Sequence, residues 1–395
     1  MKTGNSLLAA IPTTIFTVMS ALAVRHDAIN LGQGFPDTEG PQDIVQAAAD
    51  ALLDQRNQYP PLAGLPELRE AVAASNRRFY GLEIDPLREV VVTSGATEAL
   101  TASLMALIDP GDEVVLIEPL YDTYLPVVRL LGGVARVVRM REPDQGGDWA
   151  LPREELAASF GPRTKAILLN TPMNPTGKVL SRDELGFIAD LVARHDAYAI
   201  CDEVYEHLVF PPAFHIPLMT LPGMRERCIR IGSAGKSFSL TGWKVGYVTA
   251  PAALAELVAK AHQNLTFTTP PNLQRAVAMG LAKDEDYFVS LSSSLAARKD
   301  LLTEGLRGIG FGVLPCSGSY FIIADLRPLD LPGEIGRDAM AFCRHITEHA
   351  RVAAIPVSAF YDGADPPMHL VRFAFCKREA VLHEAIARLR GLLMR

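Results

Sequence analysis

The sequence lacks the patterns that mark zinc-binding, redox and nucleic-acid-binding proteins. Its five cysteines have none of the short Cys-x-x-Cys or Cys/His spacings of a metal or disulfide-exchange site, so we expect reduced thiols and no bound metal. Lys and Arg number 38 against 45 Asp and Glu, and no basic block could neutralise a run of phosphates. Nucleic acid is therefore not an expected partner.

Long apolar runs are also missing. A helix that spans a bilayer needs about 20 consecutive apolar residues, and no stretch of this chain approaches that length. Residues 7–11 are apolar, but Pro12 interrupts them early, which disfavours a secretory signal. We expect a cytoplasmic protein without a membrane partner.

What is present is the composition of a folded globular chain. Of 395 residues, 49% are hydrophobic and 21% are charged, close to globular averages. A chain of this length can bury a large core and commonly forms two domains, or a large domain with a smaller companion.

Apolar β-branched runs alternate with Ala- and Leu-rich helical segments up to about residue 250. The predicted strands are 90–93, 113–117, 134–139, 166–170, 197–201, 228–231 and 245–249, and the predicted helices include 43–51, 66–80, 121–131 and 181–194. Because these strands are continuously apolar, they suit a sheet that helices cover on both faces. The sequence predicts an α/β fold with a mainly parallel mixed sheet and flanking helices.

The pattern changes after residue 251. A long helical region reaches past residue 282 and resumes over 287–306, and shorter strands are predicted at 311–315, 319–324 and 370–374. These indicate a smaller α+β domain at the C-terminus. We expect an N-terminal arm over 1–40 that contributes to the small domain, a large domain over 41–290, and the small domain over 291–395.

One lysine stands among small residues and hydroxyls in the connection that leaves an apolar strand, within Ile231-Gly232-Ser233-Ala234-Gly235-Lys236-Ser237-Phe238. A solvated loop lysine is the ordinary interpretation. The alternative is an amine that forms an imine, since a lysine in a partly desolvated pocket becomes a nucleophile toward an aldehyde.

A pyridoxal-phosphate site needs more than this amine: a carboxylate for the ring nitrogen, donors for the phosphate and an aromatic that stacks on the ring. Asp202 follows the strand 197–201, and α/β proteins bind ligands at the carboxyl ends of parallel strands. Capping a helix is the alternative role for this aspartate. Asp202 is therefore the candidate partner of a pyridinium.

Phosphate donors are predicted at a turn between a strand and a helix. Gly95, Ala96 and Thr97 follow the strand 90–93, where backbone N–H groups at a helix start can bind an anion. Ser233 would add a hydroxyl and Lys244 a cation to the same phosphate.

Several motifs occur together in a characteristic order. They are Asn170-Thr171-Pro172-Met173-Asn174-Pro175-Thr176-Gly177-Lys178, Cys201-Asp202-Glu203-Val204-Tyr205, Ser233-Ala234-Gly235-Lys236 and Gly242-Trp243-Lys244-Val245-Gly246. In this order they strongly resemble the class I aminotransferases of fold type I. Gly34-Phe35-Pro36, Gln58-Tyr59, Gly64-Leu65-Pro66 and Val371-Arg372-Phe373 extend the resemblance over nearly the whole chain, which is most similar to methionine aminotransferase and the kynurenine/glutamine transaminase K group.

The resemblance implies a role for each matching cofactor residue. Lys236 would hold pyridoxal 5'-phosphate covalently, and Asp202 would pair with its ring nitrogen. Tyr205 and Asn174 would bind the phenolic oxygen, and Tyr121 would stack on the ring, unless it packs in the core. Lys244 stands where many class I aminotransferases carry arginine, so the phosphate would meet a point charge instead of a planar fork.

The substrate site is implied in the same way. Arg372 would clamp the α-carboxylate through two parallel bonds, helped by the backbone of Gly34 and the amide of Asn174; a surface ion pair is the alternative for this arginine. Tyr59 would reach the phosphate of a neighbouring subunit, which implies a homodimer with shared sites, unless it is an ordinary loop tyrosine.

Substrate choice depends on apolar candidates that could equally be core residues. These are Ile15, Phe16, Tyr59, Tyr121, Phe267 and Tyr320. They favour methionine, glutamine, phenylalanine, leucine or kynurenine as the amino donor. The amino group would pass to a 2-oxo acid with ping-pong kinetics. Alternatives are β-elimination of cysteine conjugates, transamination of succinyl-diaminopimelate, and a regulator that binds the cofactor without turnover.

Overall fold

The computed structural model describes residues 2, 4–144, 147–363 and 365–394. The strands are β1 Ile29–Asn30, β2 Val90–Ser94, β3 Glu113–Glu118, β4 Val134–Arg139, β5 Thr164–Asn170, β6 Tyr198–Asp202, β7 Cys228–Ser233, β8 Val245–Thr249, β9 Gly312–Val313, β10 Phe321–Asp325, β11 Val352–Ala353, β12 Ile355–Pro356 and β13 Leu370–Ala374. The α-helices are α1 Ser6–Ala10, α2 Ile15–Arg25, α3 Gln42–Asp54, α4 Pro66–Tyr80, α5 Gly95–Leu107, α6 Tyr124–Leu130, α7 Arg153–Ala158, α8 Arg182–Arg194, α9 Ala234–Ser237, α10 Ala252–Leu265, α11 Pro271–Leu281, α12 Glu285–Arg307, α13 Ala339–His349 and α14 Glu379–Leu393.

The larger sheet has seven strands in the order β2-β8-β7-β6-β5-β3-β4. Neighbours from β7 through β4 run parallel, whereas β8 is antiparallel to both β7 and β2. Along β3, Val114 and Leu116 enter one hydrophobic core and Val115 and Ile117 enter the other, as alternate side chains of a strand covered on both faces must. The predicted α/β fold with a mainly parallel mixed sheet is confirmed.

The direction of the strands decides where functional side chains meet. Since β8 runs opposite to β2 and to β7, those two point the same way, together with β5 and β6. The carboxyl ends of β2, β5, β6 and β7 are Ser94, Asn170, Asp202 and Ser233, and they all lie at one edge of the sheet.

A smaller antiparallel sheet follows the order β12-β13-β10-β9, and β1 pairs with β11 in a separate two-stranded sheet. The predicted strand at 311–315 contracts to β9, Gly312–Val313. The pairing of Ile29 with Val352 joins the N-terminal residues to the C-terminal part of the chain. Helix α12 runs without a break across residue 290, where the boundary between domains was placed, and the domain division itself stays a prediction.

Two predicted helices have different limits in the structure. The long helical region after residue 251 breaks into α10 and α11 because Pro270 and Pro271 cannot continue a helix and Phe267 adopts a left-handed φ of 68°. The helix expected from residue 121 begins at Tyr124, which leaves Tyr121 in the preceding turn. In the described part of the chain, no helix is long and apolar enough to cross a membrane.

Candidate active site

A cavity of about 240 Å³ opens at the carboxyl edge of the larger sheet. Its walls contain the following predicted cofactor residues: Gly95, Ala96, Thr97, Tyr121, Asn174, Asp202, Tyr205, Ser233, Lys236 and Lys244. Tyr59 is the predicted residue that lies elsewhere. Its side chain is 81% exposed, and its ring packs edge-on against Phe267 with centroids 5.2 Å apart.

Lys236 lies in the short helix α9, directly after β7. Its Nζ donates to the carbonyl oxygen of Gly34 at 3.2 Å and lies 5.4 Å from the ring centroids of Tyr205 and Tyr320. No carboxylate forms an ion pair with this amine among the described residues. Desolvation therefore lowers the pKa of Lys236 to about 8, which favours a reactive neutral amine.

Asp202 ends β6 and is only 4% exposed. Burial raises the pKa of its carboxyl to about 6, and the hydroxyl of Tyr124, which donates to Oδ2 at 2.5 Å, opposes that rise. The helix-capping alternative is excluded, since residues 204–207 form a turn and not a helix. A buried carboxylate thus faces the same cavity as the amine of Lys236.

Tyr124 is a site residue that the sequence motifs did not predict. It begins α6, three positions after Tyr121, and the two rings contact each other with centroids 5.6 Å apart. The available signal was the Tyr-x-x-Tyr spacing, which brings two aromatic rings to one side of a helical turn. The predicted stacking residue Tyr121 lines the cavity, and Tyr124 supports Asp202 beside it.

The start of α5 forms the opposite wall. Gly95 has a φ of 74°, and a Cβ atom there would lie 3.3 Å from Nζ of Lys244. Gly246 is equally constrained, because its Cβ would lie 2.6 Å from the carbonyl carbon of Gly95. These close approaches bring a lysine ammonium to a helix N-terminus, whose first N–H groups have no partner within the helix. The turn is suited to binding an anion.

A second cavity of about 260 Å³ adjoins the first. Its walls are Phe16, Gln33, Gly34, Tyr121, Asn174, Tyr205, Lys236, Phe321 and Arg372. Tyr121, Asn174, Tyr205 and Lys236 line both cavities, so the two are adjacent. Gln33 was not predicted; its amide donates to Oγ of Ser20 at 2.7 Å and forms a polar part of the wall.

Arg372 on β13 is 1% exposed. Its Nη1 donates to Oδ1 of Asn174 at 2.8 Å, its Nη2 donates to the carbonyl oxygen of Gly32, and its buried Nε has no partner among the described residues. Burial lowers the pKa of this guanidinium to about 10. The alternative of a surface ion pair is therefore excluded, and Arg372 remains available to an anionic ligand.

Phenyl rings surround the guanidinium of Arg372. Its Cζ lies 3.9 Å from the ring centroid of Phe321, 5.0 Å from that of Phe360 and 5.1 Å from that of Phe16. Tyr320, predicted as a rim residue, is instead fully buried, and its hydroxyl donates to the backbone oxygen of Lys236 at 2.9 Å. Tyr320 therefore contacts the backbone of Lys236 through this hydrogen bond.

Residues 26–389 match the model of the family described as aminotransferase class I and II, and the chain belongs to this family. It is 47% identical to a probable N-succinyldiaminopimelate aminotransferase of Mycobacterium tuberculosis, over 99% of this chain and 98% of that protein. It is 39% identical to the methionine aminotransferase of Escherichia coli, over 98% of each chain, and 39% identical to human kynurenine–oxoglutarate transaminase 1, over 93% of each.

Solved structures agree with these relatives. The N-succinyldiaminopimelate aminotransferase of M. tuberculosis superimposes with a TM-score of 0.94 over 99% of this chain and all 100% of that one. An E. coli protein with a methionine aminotransferase function gives a TM-score of 0.93 at 38% identity over 99% and 100% of the two chains. The protein is an aminotransferase of fold type I, and members of this fold type use pyridoxal 5'-phosphate.

The described residues fit that cofactor. The cavity holds an amine with a lowered pKa, a buried carboxylate opposite it, and a helix N-terminus with a lysine ammonium close to Gly95. The amine can bond to the aldehyde of the cofactor, the carboxylate can pair with its pyridine nitrogen, and the helix N-terminus with the lysine can bind its phosphate.

Proposed function

We propose that this aminotransferase takes the α-amino group from an amino acid with an apolar or aromatic side chain, of the methionine, glutamine, phenylalanine or kynurenine type, and passes it to a 2-oxo acid. The observation that carries this proposal is the second cavity. Phe16, Tyr121 and Phe321 line it, and its cationic side chains are Lys236 and Arg372. With Arg372 assigned to the α-carboxylate, the cavity favours an uncharged side chain.

The proposed roles follow from charge and position. Bound pyridoxal 5'-phosphate supplies an aldehyde that bonds to amines and a ring that accepts the electron pair from Cα. Lys236, once free, takes the proton from Cα of the amino acid, and its lowered pKa provides the neutral amine near neutral pH. Asp202 as a buried anion keeps a proton on the ring nitrogen, and Tyr124 stabilises that anion.

The carboxylate of the substrate would be bound at the other end of the cavity. Arg372 offers its Nε, which has no partner among the residues that the structure describes, and Asn174 is already oriented by its bond to Nη1 of the same arginine. The phenyl rings around the guanidinium exclude water, which strengthens an ion pair. With its carboxylate on Arg372, the substrate would have its Cα between Arg372 and Lys236, both of which line the cavity.

Transamination of N-succinyldiaminopimelate is the second candidate. It is supported by the 47% identity to the M. tuberculosis protein along the whole chain. That substrate carries two carboxylates far from the reacting carbon, and among the described residues the second cavity is lined by no cation besides Lys236 and Arg372 to pair with them. The two candidates therefore differ in whether a distal carboxylate raises or lowers kcat/KM.

A donor panel separates them. The purified holoenzyme is mixed with methionine, kynurenine, phenylalanine, a cysteine conjugate or N-succinyldiaminopimelate, without a 2-oxo acid, and single-turnover loss of the visible band of the bound cofactor is followed. We expect faster conversion with the apolar and aromatic donors. Preference for the succinylated donor would favour the second candidate, and pyruvate release from the conjugate would reveal β-elimination.

Lys236→Ala tests the central role. The variant should lose turnover and the visible absorbance of covalently held cofactor, whereas Lys260→Ala, at an exposed lysine paired with Glu256, should retain both. Retention of both properties by Lys236→Ala would contradict the proposed function.

The homodimer is part of the proposal. The exposed Tyr59 and the partly exposed Phe267 form one aromatic pair on the surface, which suits contact with a second copy of the chain. In that dimer, Tyr59 would complete the phosphate site of the other subunit. Residues 41–290 would form the domain that holds the cofactor, and 291–395 with the N-terminal arm would form the domain that closes on the substrate.

A further inference from the structure

A cluster of buried charges lies against the segment that follows β6, on the side away from the cavity. Asp202 and Tyr205 line the first cavity. Glu203, which follows Asp202, and Glu206, which follows Tyr205, do not line it. Glu203 is 0% exposed and Glu206 is 7% exposed. Two buried carboxylates next to the proposed cofactor residues need compensation by positive charge.

Arg230 on β7 supplies that charge. Its Nε donates to Glu203, its Nη2 donates to Glu206, and its Nη1 donates to Oδ1 of Asn76 at 2.6 Å. The hydroxyl of Tyr80 also donates to Glu206, at 2.7 Å, and the guanidinium lies 4.5 Å above the Tyr80 ring. We call these five residues the Arg230 cluster.

The charged groups of the Arg230 cluster stabilise one another, because both glutamates bond to the same guanidinium. Burial is the largest single influence on the pKa of Glu206 and raises it, but Arg230 together with His207, His215 and the Tyr80 hydroxyl lowers that pKa to about 2. His215 lies at the edge, with its Nε2 2.9 Å from Glu203. Removal of the arginine charge would leave two carboxylates without a countercharge in a dry environment.

The position of Arg230 gives the cluster its significance. Backbone pairing between β6 and β7 ends with Asp202 opposite Ile231, and the last bond runs from the amide of Glu203 to the oxygen of Ile231 at 3.0 Å. Tyr205 lies beyond the end of this ladder. On the other strand, β7 continues for two residues to Ser233, and Lys236 follows in α9.

We propose that Arg230 is a positioning residue of the cofactor site, because its guanidinium ties the segment that presents Asp202 and Tyr205 to the strand that leads to Lys236. The inference rests on the roles proposed above for Asp202 and Lys236. Arg230 touches neither cavity, so it acts through Glu203 and Glu206. It holds the segment that carries Tyr205 against β7 beyond the last backbone bond at Glu203, and it reinforces the pairing that positions Asp202.

Arg230→Lys is the direct test, because one ammonium retains the charge but cannot make the forked contacts to both glutamates. We expect kcat to fall by up to about 100-fold, as small misplacements of reacting groups produce. The cofactor should also dissociate faster, and the pH at which its visible band titrates should move. KM for the amino acid should change by less than about twofold, since Arg372 is untouched.

The matched control is Arg225→Lys. Arg225 donates through Nη2 to both oxygens of Glu89, at 2.8 and 2.7 Å, and neither residue lines a cavity that holds Lys236. Both variants should lower the thermal midpoint, but only Arg230→Lys should change the cofactor dissociation rate and the titration of its band. If Arg230→Lys changes the midpoint alone, the residue is structural and the inference is wrong.

Milder variants keep the test decisive if Arg230→Lys does not fold. Tyr80→Phe and Glu206→Gln each weaken the cluster while retaining Arg230, and both should accelerate cofactor release in the same direction. Unchanged release and an unchanged band in both variants would overturn the inference. Failure of the wild-type protein to transaminate any donor would instead contradict the proposed function, and the cofactor dissociation rates would still report on Arg230.

Discussion

Nζ of Lys236 donates to the carbonyl oxygen of Gly34 at 3.2 Å, across 202 positions of sequence. The contact connects the amine proposed to hold the cofactor with the N-terminal segment that lines the second cavity. A Cβ atom on Gly34 would lie 2.3 Å from Cζ of Phe321, one of the rings around Arg372, so this backbone has no room for a side chain. One hydrogen bond to the Gly34 oxygen therefore connects the amine proposed to hold the cofactor with the wall of the second cavity.

The lowered pKa of Lys236 predicts the pH dependence of cofactor uptake. Only the neutral amine attacks an aldehyde, and burial shifts the pKa of this lysine from 10.5 to about 8. Uptake by the cofactor-free protein should therefore accelerate as pH rises toward about 8 and then level off, measured by stopped-flow absorbance. A rate that continues to rise toward the ordinary lysine pKa would contradict the proposed desolvation.

Tyr124→Phe should move the acid side of the pH–activity profile. The Tyr124 hydroxyl donates to Asp202 and stabilises its charged form, so its loss raises the pKa of Asp202, now about 6. A hydrogen bond to a charged group contributes about 1.5–3 kcal/mol, which corresponds to a shift of at least about one pH unit upward. Measurement of kcat against pH tests this, with Tyr198→Phe at the other end of β6 as a control that should not shift.

Arg372→Lys should weaken recognition of the α-carboxylate. Lysine cannot reproduce the planar fork of the buried guanidinium, and we expect kcat/KM for amino acid donors to fall about 10- to 100-fold. Reaction with an amine that lacks the carboxylate should change much less, since that substrate makes no use of Arg372. Equal losses on both substrates would indicate a general disruption of the site.

Mixed dimers test the shared site. Tyr59→Ala and Lys236→Ala should each be nearly inactive alone. If Tyr59 serves the opposite subunit, each mixed dimer contains one site with both residues intact, so random exchange should restore about a quarter of wild-type activity. The measurement is activity after co-refolding of the two variants at equal concentrations. No recovery, with mixed dimers verified by mass, would place Tyr59 in its own subunit's site or in none.

Much of the fold could be predicted because its signals are local. The strands 134–139 and 245–249 and the helix 66–80 have the predicted limits, since periodic apolar residues and turn residues act over a few positions. The antiparallel direction of β8 was not predictable in this way. Strand direction depends on which neighbours pair, and β8 pairs with β2, more than 150 residues earlier in the chain.

The candidate site divides along the same line. The amine of Lys236, the acid at 202 and the arginine at 372 follow from residue type and motif order, and those residues lie around two adjacent cavities. Tyr124 escaped because its partner, Asp202, is 78 positions away. Arg230 escaped because an isolated arginine in an apolar strand has no local pattern that identifies its partners.

By itself, the sequence determined which chemical groups this protein has, and most of the secondary structure that carries them, because secondary structure depends largely on neighbouring residues. Only the tertiary structure decided which of those groups share a desolvated space. A pKa of about 8 at Lys236 and about 6 at Asp202 arises from burial by distant elements, since desolvation acts on a charge through everything that replaces water around it.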